Sequence, residues 1–104
     1  MEHTVETYKF FFGALANPNR LQIINVLRGN KKNVGEICQI TGFEQTMVSH
    51  NLKTLEHHGM VFMEKKGKFR YYTVNKKTIK PLLELIDAHM KEYCCKLLEG
   101  KKRK

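Results

Sequence analysis

Residues 44–59, EQTMVSHNLKTLEHHG, have the periodicity of a helix with one apolar and one polar face, and they constrain the fold more than any other stretch. The apolar face holds Val48, Leu52 and Leu55. The opposite face presents four side chains that form hydrogen bonds, none of them acidic: Thr46, His50, Lys53 and His57. Such groups suit the edge of a base pair or a phosphate oxygen. The stretch is therefore a candidate recognition helix, although an ordinary surface helix has a similar pattern.

The segment before it, NVGEICQITG, predicts a shorter helix with apolar residues at Val34, Ile37 and Ile40. Asn33 is a suitable N-cap, and Glu36 stands three residues later, where it completes a capping box. Glycine at position 42 then ends the helix. A short helix, a glycine turn and a second amphipathic helix predict a helix-turn-helix, in which the second helix enters the major groove.

The segment after it, MVFMEKKGKFRYYTV, predicts a β-hairpin with strands at about 60–65 and 69–74. Gly67 permits the turn between them. Tyr71 and Tyr72 point to opposite faces, and the pattern leaves open which of them is buried. Four basic residues gather on this hairpin: Lys65, Lys66, Lys68 and Arg70.

Three strings, ALANPNRLQIINVL, VSHNLKTLEHHGMV and FRYYTV, resemble the ArsR-type winged-helix repressors in sequence and order. The similarity extends from about residue 15 to residue 74 and, more loosely, to the terminal helices. The resemblance implies a homodimer that binds a palindromic operator and leaves it when an effector, often a metal ion, binds.

Composition favours one domain with a polyanionic partner. A chain of 104 residues suits a single domain, here expected over residues 1–100 with a basic tail at 101–104. Lys and Arg number 19 against 10 Asp and Glu, for a net charge of +9, and the excess persists without the terminal KKRK. Apolar runs fall short of the ~20 residues of a membrane span, and no signal-peptide pattern is present. We therefore expect no membrane partner and a cytoplasmic location.

Two helices are predicted before the helix-turn-helix segment. Apolar and aromatic residues recur at helical spacing in the first, which favours a core or a dimer seam: Val5, Tyr8, Phe11, Phe12 and Leu15. Asn17 and Pro18 are suited to start the second, whose buried face is Leu21, Ile24 and Leu27, and Gly29 and Asn30 to end it. Arg20 and Arg28 lie off this face, where they either contact phosphates or remain solvated.

A last helix is expected from about residue 76 to residue 99, because apolar residues recur every three or four positions: Ile79, Leu82, Leu83, Ile86, Met90, Tyr93, Leu97 and Leu98. Such a helix would be ~36 Å long, more than the core of this domain needs. Its surplus apolar face predicts a twofold dimer whose recognition helices enter major grooves about 34 Å apart.

The sequence has no nucleophile elbow, no phosphate-binding glycine loop and no paired-cysteine zinc motif, so we expect neither an enzyme nor a cofactor. Metal-sensing members of the resembled family carry two cysteines in the third helix, but here Ile40 follows Cys38 in the second position. Others carry Asp-x-His in the last helix, as in Asp87-Ala-His89, but Gly100 and Arg103 replace the later ligands. We therefore predict no metal site, and adjacent histidines at 57 and 58 do not face one ion.

Cysteines offer the alternative effector site. Cys38, Cys94 and Cys95 are an odd number, and adjacent cysteines rarely form an unstrained bridge, so a disulfide framework is not expected. A thiol switch at these positions, or a noncanonical metal cluster of His89 with Cys94 or Cys95, competes with the simpler interpretation of small buried side chains.

These observations predict a mainly α-helical winged helix-turn-helix homodimer, with about five helices and a two-stranded wing, that binds duplex DNA, and the family resemblance implies that it acts as a repressor. Base edges are expected to contact Gln45, Thr46, Ser49, His50 and Lys53. The DNA backbone or minor groove is expected to contact Lys65, Lys66, Lys68 and Arg70. The carboxylate of Glu44 at the start of the recognition helix would repel a nearby phosphate. Non-specific DNA binding and an interaction with an acidic protein are the alternatives.

Overall fold

The computed structural model of the chain describes residues 4–102, which form helices and a small sheet. The helices before the wing are α1 (Val5–Leu15), α2 (Pro18–Gly29), α3 (Val34–Thr41) and α4 (Gln45–His57). The strands are β1 (Lys32–Asn33), β2 (Val61–Lys66) and β3 (Phe69–Val74). The C-terminal helical stretch consists of α5 (Ile79–His89), a π-helical segment (Met90–Cys94) and α6 (Cys95–Lys102).

The predicted helix ends of the first half of the chain are confirmed. The side-chain oxygen of Asn17 accepts hydrogen bonds from the backbone N–H groups of Asn19 and Arg20, at 3.0 and 3.1 Å. Asn33 and Glu36 form the reciprocal capping box, with distances of 2.8 and 2.9 Å. Gly42 ends α3 with a φ of +78°, a left-handed conformation that glycine adopts without steric cost.

A single hydrophobic core holds α2, α3 and α4 together. It includes Ile23, Ile24, Leu27, Ile37, Val48, Leu52 and Leu55. The predicted apolar faces of α2 and α4 are thereby confirmed, with Leu21 half-buried at the edge. Ile40 is an exception, because it is exposed at the end of α3 instead of joining Val34 and Ile37.

The wing is part of a three-stranded antiparallel sheet in the order β1-β3-β2. The sequence predicted two strands, and the third is the two-residue β1, whose Lys32 and Asn33 pair with Tyr72 and Tyr71. Tyr72 is buried with 8% of its surface exposed, whereas Tyr71 is half-buried, which answers the question that alternation left open. Gly67 adopts a φ of +61° in the turn between β2 and β3.

The last helix begins three residues later than predicted. The side-chain oxygen of Asn75 accepts hydrogen bonds from the backbone N–H groups of Lys77 and Thr78, at 3.0 and 3.3 Å, so these residues form a turn before α5. The helical backbone then runs from Ile79 through the π segment to Lys102, which includes the first residues of the predicted tail. Residues 103 and 104 of that tail lie outside the described part.

Two helices expose apolar side chains that the core does not cover. α1 buries Ala14 and Leu15 but exposes Val5, Tyr8, Phe10 and Phe12. Beyond its buried Ile79 and Leu83, the C-terminal stretch exposes Leu85, Ile86, Tyr93 and Leu97. None of the helices between residues 4 and 102 combines the length and apolarity needed to span a membrane.

Candidate nucleic-acid interface

All five side chains predicted to contact base edges lie on the exposed side of α4: Gln45, Thr46, Ser49, His50 and Lys53. The buried Val48, Leu52 and Leu55 on the other side hold the helix against the core. Glu44 is the N-cap residue, but its side chain accepts no hydrogen bond from the first turn. The side chains on this face therefore project away from the core, and the first N–H groups of α4 have no side-chain cap.

A groove of about 610 Å³ separates α4 from the wing. α4 contributes Gln45, Ser49, Lys53 and Glu56 to its walls, and the wing contributes Met63, Lys68, Phe69, Arg70 and Tyr72. Three residues at the start of α3 complete the lining: Asn33, Val34 and Gly35. The groove thus brings predicted base-contacting residues and predicted backbone-contacting residues to one surface.

His50 lies on the neighbouring side of α4. Together with Lys53, Thr54 and His57 it lines a shallow depression of about 240 Å³. Lys53 borders both this depression and the groove. The exposed face of α4 is therefore broader than the groove, and Thr46 and His50 occupy the part of it that the wing does not border.

The basic residues of the wing divide between its two faces. In the β2–β3 register, Lys65 pairs with Arg70 and Met63 pairs with Tyr72. Directly paired residues of an antiparallel sheet share a face, so Lys65 and Arg70 lie on the face of the buried Tyr72. Lys66 pairs with Phe69 and lies on the opposite face.

Lys66 also has a different electrostatic environment. Its Nζ lies 3.6 Å from Oε1 of Glu64. The neighbouring amine of Lys31 and then the charge of Glu64 raise the pKa of Lys66, and the neighbouring Lys66 lowers the pKa of Lys31. The Nζ of Lys31 in turn lies 5.5 Å from the centre of the Tyr71 ring. The charge of Lys66 is therefore partly compensated within the wing.

Both arginines of α2 are engaged within the protein, which sequence reasoning missed. Arg20 donates hydrogen bonds from Nε to the carbonyl oxygen of Ala14 at 2.7 Å and from Nη1 to Oδ1 of Asn51 at 3.4 Å. Arg28 donates from Nη2 to Oδ2 of Asp87 at 2.7 Å. These three partners lie 6, 31 and 59 residues away along the chain, so local sequence patterns carried no signal for them.

The candidate thiols do not form one cluster. Cys38 is half-buried in α3 and packs against the core. Cys94 is half-buried and Cys95 exposed in the C-terminal stretch, and all three are free thiols. Lys91 and Lys96 flank the adjacent pair in sequence and are exposed.

The residues at the two metal positions of the resembled family do not fit a zinc ion. Ile40 is an exposed hydrocarbon side chain where a second thiolate would be needed, and Asp87 already pairs with Arg28. Nowhere in the described part of the chain do three His, Cys, Asp or Glu side chains converge. Arg103 lies outside that part. His57 and His58 have perpendicular rings 5.8 Å apart, and His58 packs on Phe10.

Comparison with known proteins gives the same family by sequence and by structure. The family model described as "Bacterial regulatory protein, arsR family" matches residues 17–61. The transcriptional activator HlyU of Vibrio cholerae is 33% identical over 73 residues, which cover 70% of this chain and 68% of that protein. The transcriptional repressor SdpR of Bacillus subtilis is 30% identical over 62% of this chain and 71% of its own.

Solved structures agree over most of the chain. A structure of HlyU from V. cholerae superposes with a TM-score of 0.74 at 30% identity, covering 90% of this chain and 99% of that one. The solution structure of a homodimeric winged helix-turn-helix DNA-binding domain from Mycobacterium bovis gives 0.73 at 26% identity, covering 89% and 92%.

Proposed function

The chain belongs to the ArsR family of bacterial regulatory proteins and is a winged helix-turn-helix transcriptional regulator that binds DNA, and we propose that it acts as a homodimeric repressor at a palindromic operator. The groove between α4 and the wing is the observation that carries this proposal. Gln45, Ser49 and Lys53 face Lys68 and Arg70 across it, so one DNA segment can meet all five side chains.

Base recognition is assigned to α4, because an α-helix fits the major groove and reads base edges there. The side chains of Gln45 and His50 form directional hydrogen bonds, and Thr46, Ser49 and Lys53 complete the same exposed face. The wing supplies cations for phosphate oxygens or the minor groove through Lys65, Lys68 and Arg70, with a smaller contribution from Lys66.

Dimerisation is assigned to α1 and the C-terminal helical stretch. Tyr8, Phe12, Tyr93 and Leu97 each expose half or more of their surface, and a monomer would leave these apolar groups in water. The homodimeric state of the M. bovis relative supports a second copy of this chain as the partner. Residues 1–100 then form the DNA-binding and dimerisation domain, with the basic residues 101–104 as a tail.

Repression follows if the operator overlaps a promoter, because the bound dimer excludes the polymerase. The resemblance of the chain to SdpR, a repressor, supports this direction, and HlyU provides an activating precedent. No catalytic role is assigned, and no cofactor is required. We place the protein in the cytoplasm, where bacterial DNA lies and where reducing conditions keep cysteines as thiols.

A competition experiment tests the proposal. Duplexes selected from a random library supply the operator, and fluorescence anisotropy measures how much unselected duplex of the same length is needed to displace it. We expect a preference of at least about 10³ for the operator. Equal competition would indicate a non-specific DNA-binding protein. Failure to bind any duplex at low salt would favour an acidic protein as the partner.

A further inference from the structure

Arg20 connects three helices through one guanidinium group. Its Nε and Nη2 donate hydrogen bonds to the carbonyl oxygens of Ala14 and Gly13 at the end of α1, at 2.7 and 3.3 Å. Its Nη1 lies 3.4 Å from Oδ1 of Asn51 in α4. Arg20 itself belongs to the first turn of α2, where the N-cap Asn17 holds its backbone N–H at 3.1 Å.

The contacts with α1 satisfy groups that a helix end leaves unpaired. The carbonyl oxygen of Phe12 accepts a hydrogen bond from the backbone N–H of Ala16, and Arg20 supplies donors for the next two carbonyl groups. A cation is also favoured at the negative end of the helix dipole. Arg20 is therefore held firmly against the helix whose other residues expose the apolar surface assigned to the dimer.

The contact with α4 is partly buried and lies behind the face that we assign to DNA. Asn51 exposes 6% of its surface and is the buried polar residue of the described core. Its Nδ2 donates to the carbonyl oxygen of Met47 at 2.9 Å, which orients Oδ1 toward Arg20. Ser49 and His50 precede it directly on the helix, so a change in the position of Asn51 moves both.

A second contact joins the same two helices. The ring of Phe10 in α1 lies 4.6 Å from the ring of His58, which ends α4. α1 thus holds α4 near its middle through Arg20 and at its end through Phe10. Two points of attachment fix both the direction of the helix axis and the rotation of the helix about it.

We propose that Arg20 and Asn51 are positioning residues that couple the dimer seam to the recognition helix and thereby set the spacing of the operator half-sites. This inference rests on the proposed function, because it requires a dimer that reads two half-sites. In that dimer the two α1 helices lie at the seam, and each fixes its own α4. One added base pair rotates the second half-site by about 34° relative to the first. A dimer whose two α4 helices are held firmly should therefore bind the altered operator more weakly.

The test uses operators whose half-sites are separated by one base pair more or fewer than the selected optimum. The wild-type dimer should bind the altered operators at least about tenfold more weakly, the cost of a mismatched contact. Arg20→Lys keeps the charge but lacks the planar fork that reaches three acceptors. Asn51→Ala removes the acceptor on α4, together with the hydrogen bond to Met47 inside that helix, and leaves the contacts of Arg20 with α1 in place. In both variants the discrimination between spacings should fall to about threefold or less, with affinity for a single half-site duplex retained.

Asn25→Ala and Gln22→Ala are the matched controls, because both residues are exposed on α2 and, among the described residues, neither forms a hydrogen bond with α1 or α4. They should keep the wild-type discrimination, and circular dichroism should show that all four variants are folded. If Arg20→Lys does not fold, Asn51→Ala decides alone.

Three results would overturn the inference. The first is wild-type discrimination in folded Asn51→Ala, and the second is an equal loss in the controls. The third is a loss of affinity for every duplex with a reduced salt dependence, which would make Arg20 a phosphate contact. A wild-type protein that tolerates any spacing would instead contradict the proposed dimeric operator complex.

Discussion

Nη2 of Arg28 lies 2.7 Å from Oδ2 of Asp87, which joins the last turn of α2 to the C-terminal helical stretch across 59 residues of sequence. The two side chains are 25% and 60% exposed, so water screens much of their attraction. The pair contributes more to geometry than to stability. It orients α5 on α2, and it engages one carboxylate oxygen of the Asp-x-His motif.

A double-mutant cycle of Arg28→Gln and Asp87→Asn should give a coupling free energy of about 0.5 kcal/mol. Urea unfolding of the four proteins measures it. The coupling should shrink between about 0.1 M and about 1 M salt, because screening shortens the reach of exposed charges. A coupling that does not change with salt would mean that the two side chains interact through packing instead of charge.

His50→Ala and Gln45→Ala should relax the preference among operator variants. Each lost bidentate contact to a base edge is worth about 1 to 3 kcal/mol of discrimination, and single hydrogen bonds less. Anisotropy titrations with operators changed at one base pair provide the measurement. If both variants keep the wild-type ranking of operators, α4 does not read these bases.

Lys65 and Lys66 form a matched pair of adjacent lysines on opposite faces of the wing. Lys65→Ala should reduce the slope of log affinity against log salt by about 0.9, the value for one phosphate, and should weaken all duplexes alike. Lys66→Ala should change the slope less, because Lys66 lies 3.6 Å from Glu64 on the other face. Arg70→Ala should behave like Lys65→Ala, since the two residues pair on one face, and Lys68→Ala should act in the same direction because Lys68 lines the groove. A larger effect at Lys66 would reverse the assignment of the wing faces.

Local signals explain why so much of the helical part was predictable. Each helix start depends on residues within three positions of each other, as in the capping box of Asn33 and Glu36 and in the Asn17–Pro18 start. Both interacting residues are therefore recognisable in a short stretch of sequence. The apolar periodicity of α4 correctly identified its exposed face. The choice of side chains for base contacts follows from that face and remains a prediction.

The third strand and the contacts of Arg20 were not predicted, because both depend on residues far apart in the sequence. β1 has only two residues and exists because Lys32 and Asn33 pair with Tyr72 and Tyr71, some 40 positions away. Tyr72 is buried and Tyr71 half-buried, a choice that alternation along β3 alone left open. Arg20 looked like a surface cation because its acceptors belong to α1 and α4, which only the tertiary fold brings to it.

The protein should be a dimer at micromolar concentration. Tyr93→Glu or Leu97→Glu should produce monomers and abolish operator binding, because each places a charge in the apolar surface that two copies would bury. Ile86→Glu and Met90→Glu are expected to act in the same direction. Sedimentation velocity measures the mass, and Gln22→Glu on the exposed side of α2 is the control. A wild-type monomer under these conditions would contradict the assigned seam.

The protein should not be released from its operator by zinc acting at the two family positions. Zinc requires about four N, S or O ligands in tetrahedral array. Ile40 supplies none, and Asp87 already accepts a hydrogen bond from the Arg28 cation through Oδ2, which makes its carboxylate a weaker donor to a metal. A weak site completed by water would bind zinc about equally well in the DNA-binding and the released forms of the dimer. Zinc would therefore do little to shift the dimer away from DNA.

Thiol chemistry is the effector route that we expect instead. Cys95 is exposed, so a soluble oxidant can reach its thiol. Operator binding should therefore be titrated with zinc and, separately, with a mild oxidant, on the wild type and on a variant with Cys38, Cys94 and Cys95 changed to serine. We expect the oxidant to weaken binding by the wild type only. Stoichiometric zinc that releases the wild type, but not a variant lacking Asp87 and His89, would show that the last helix binds the metal after all.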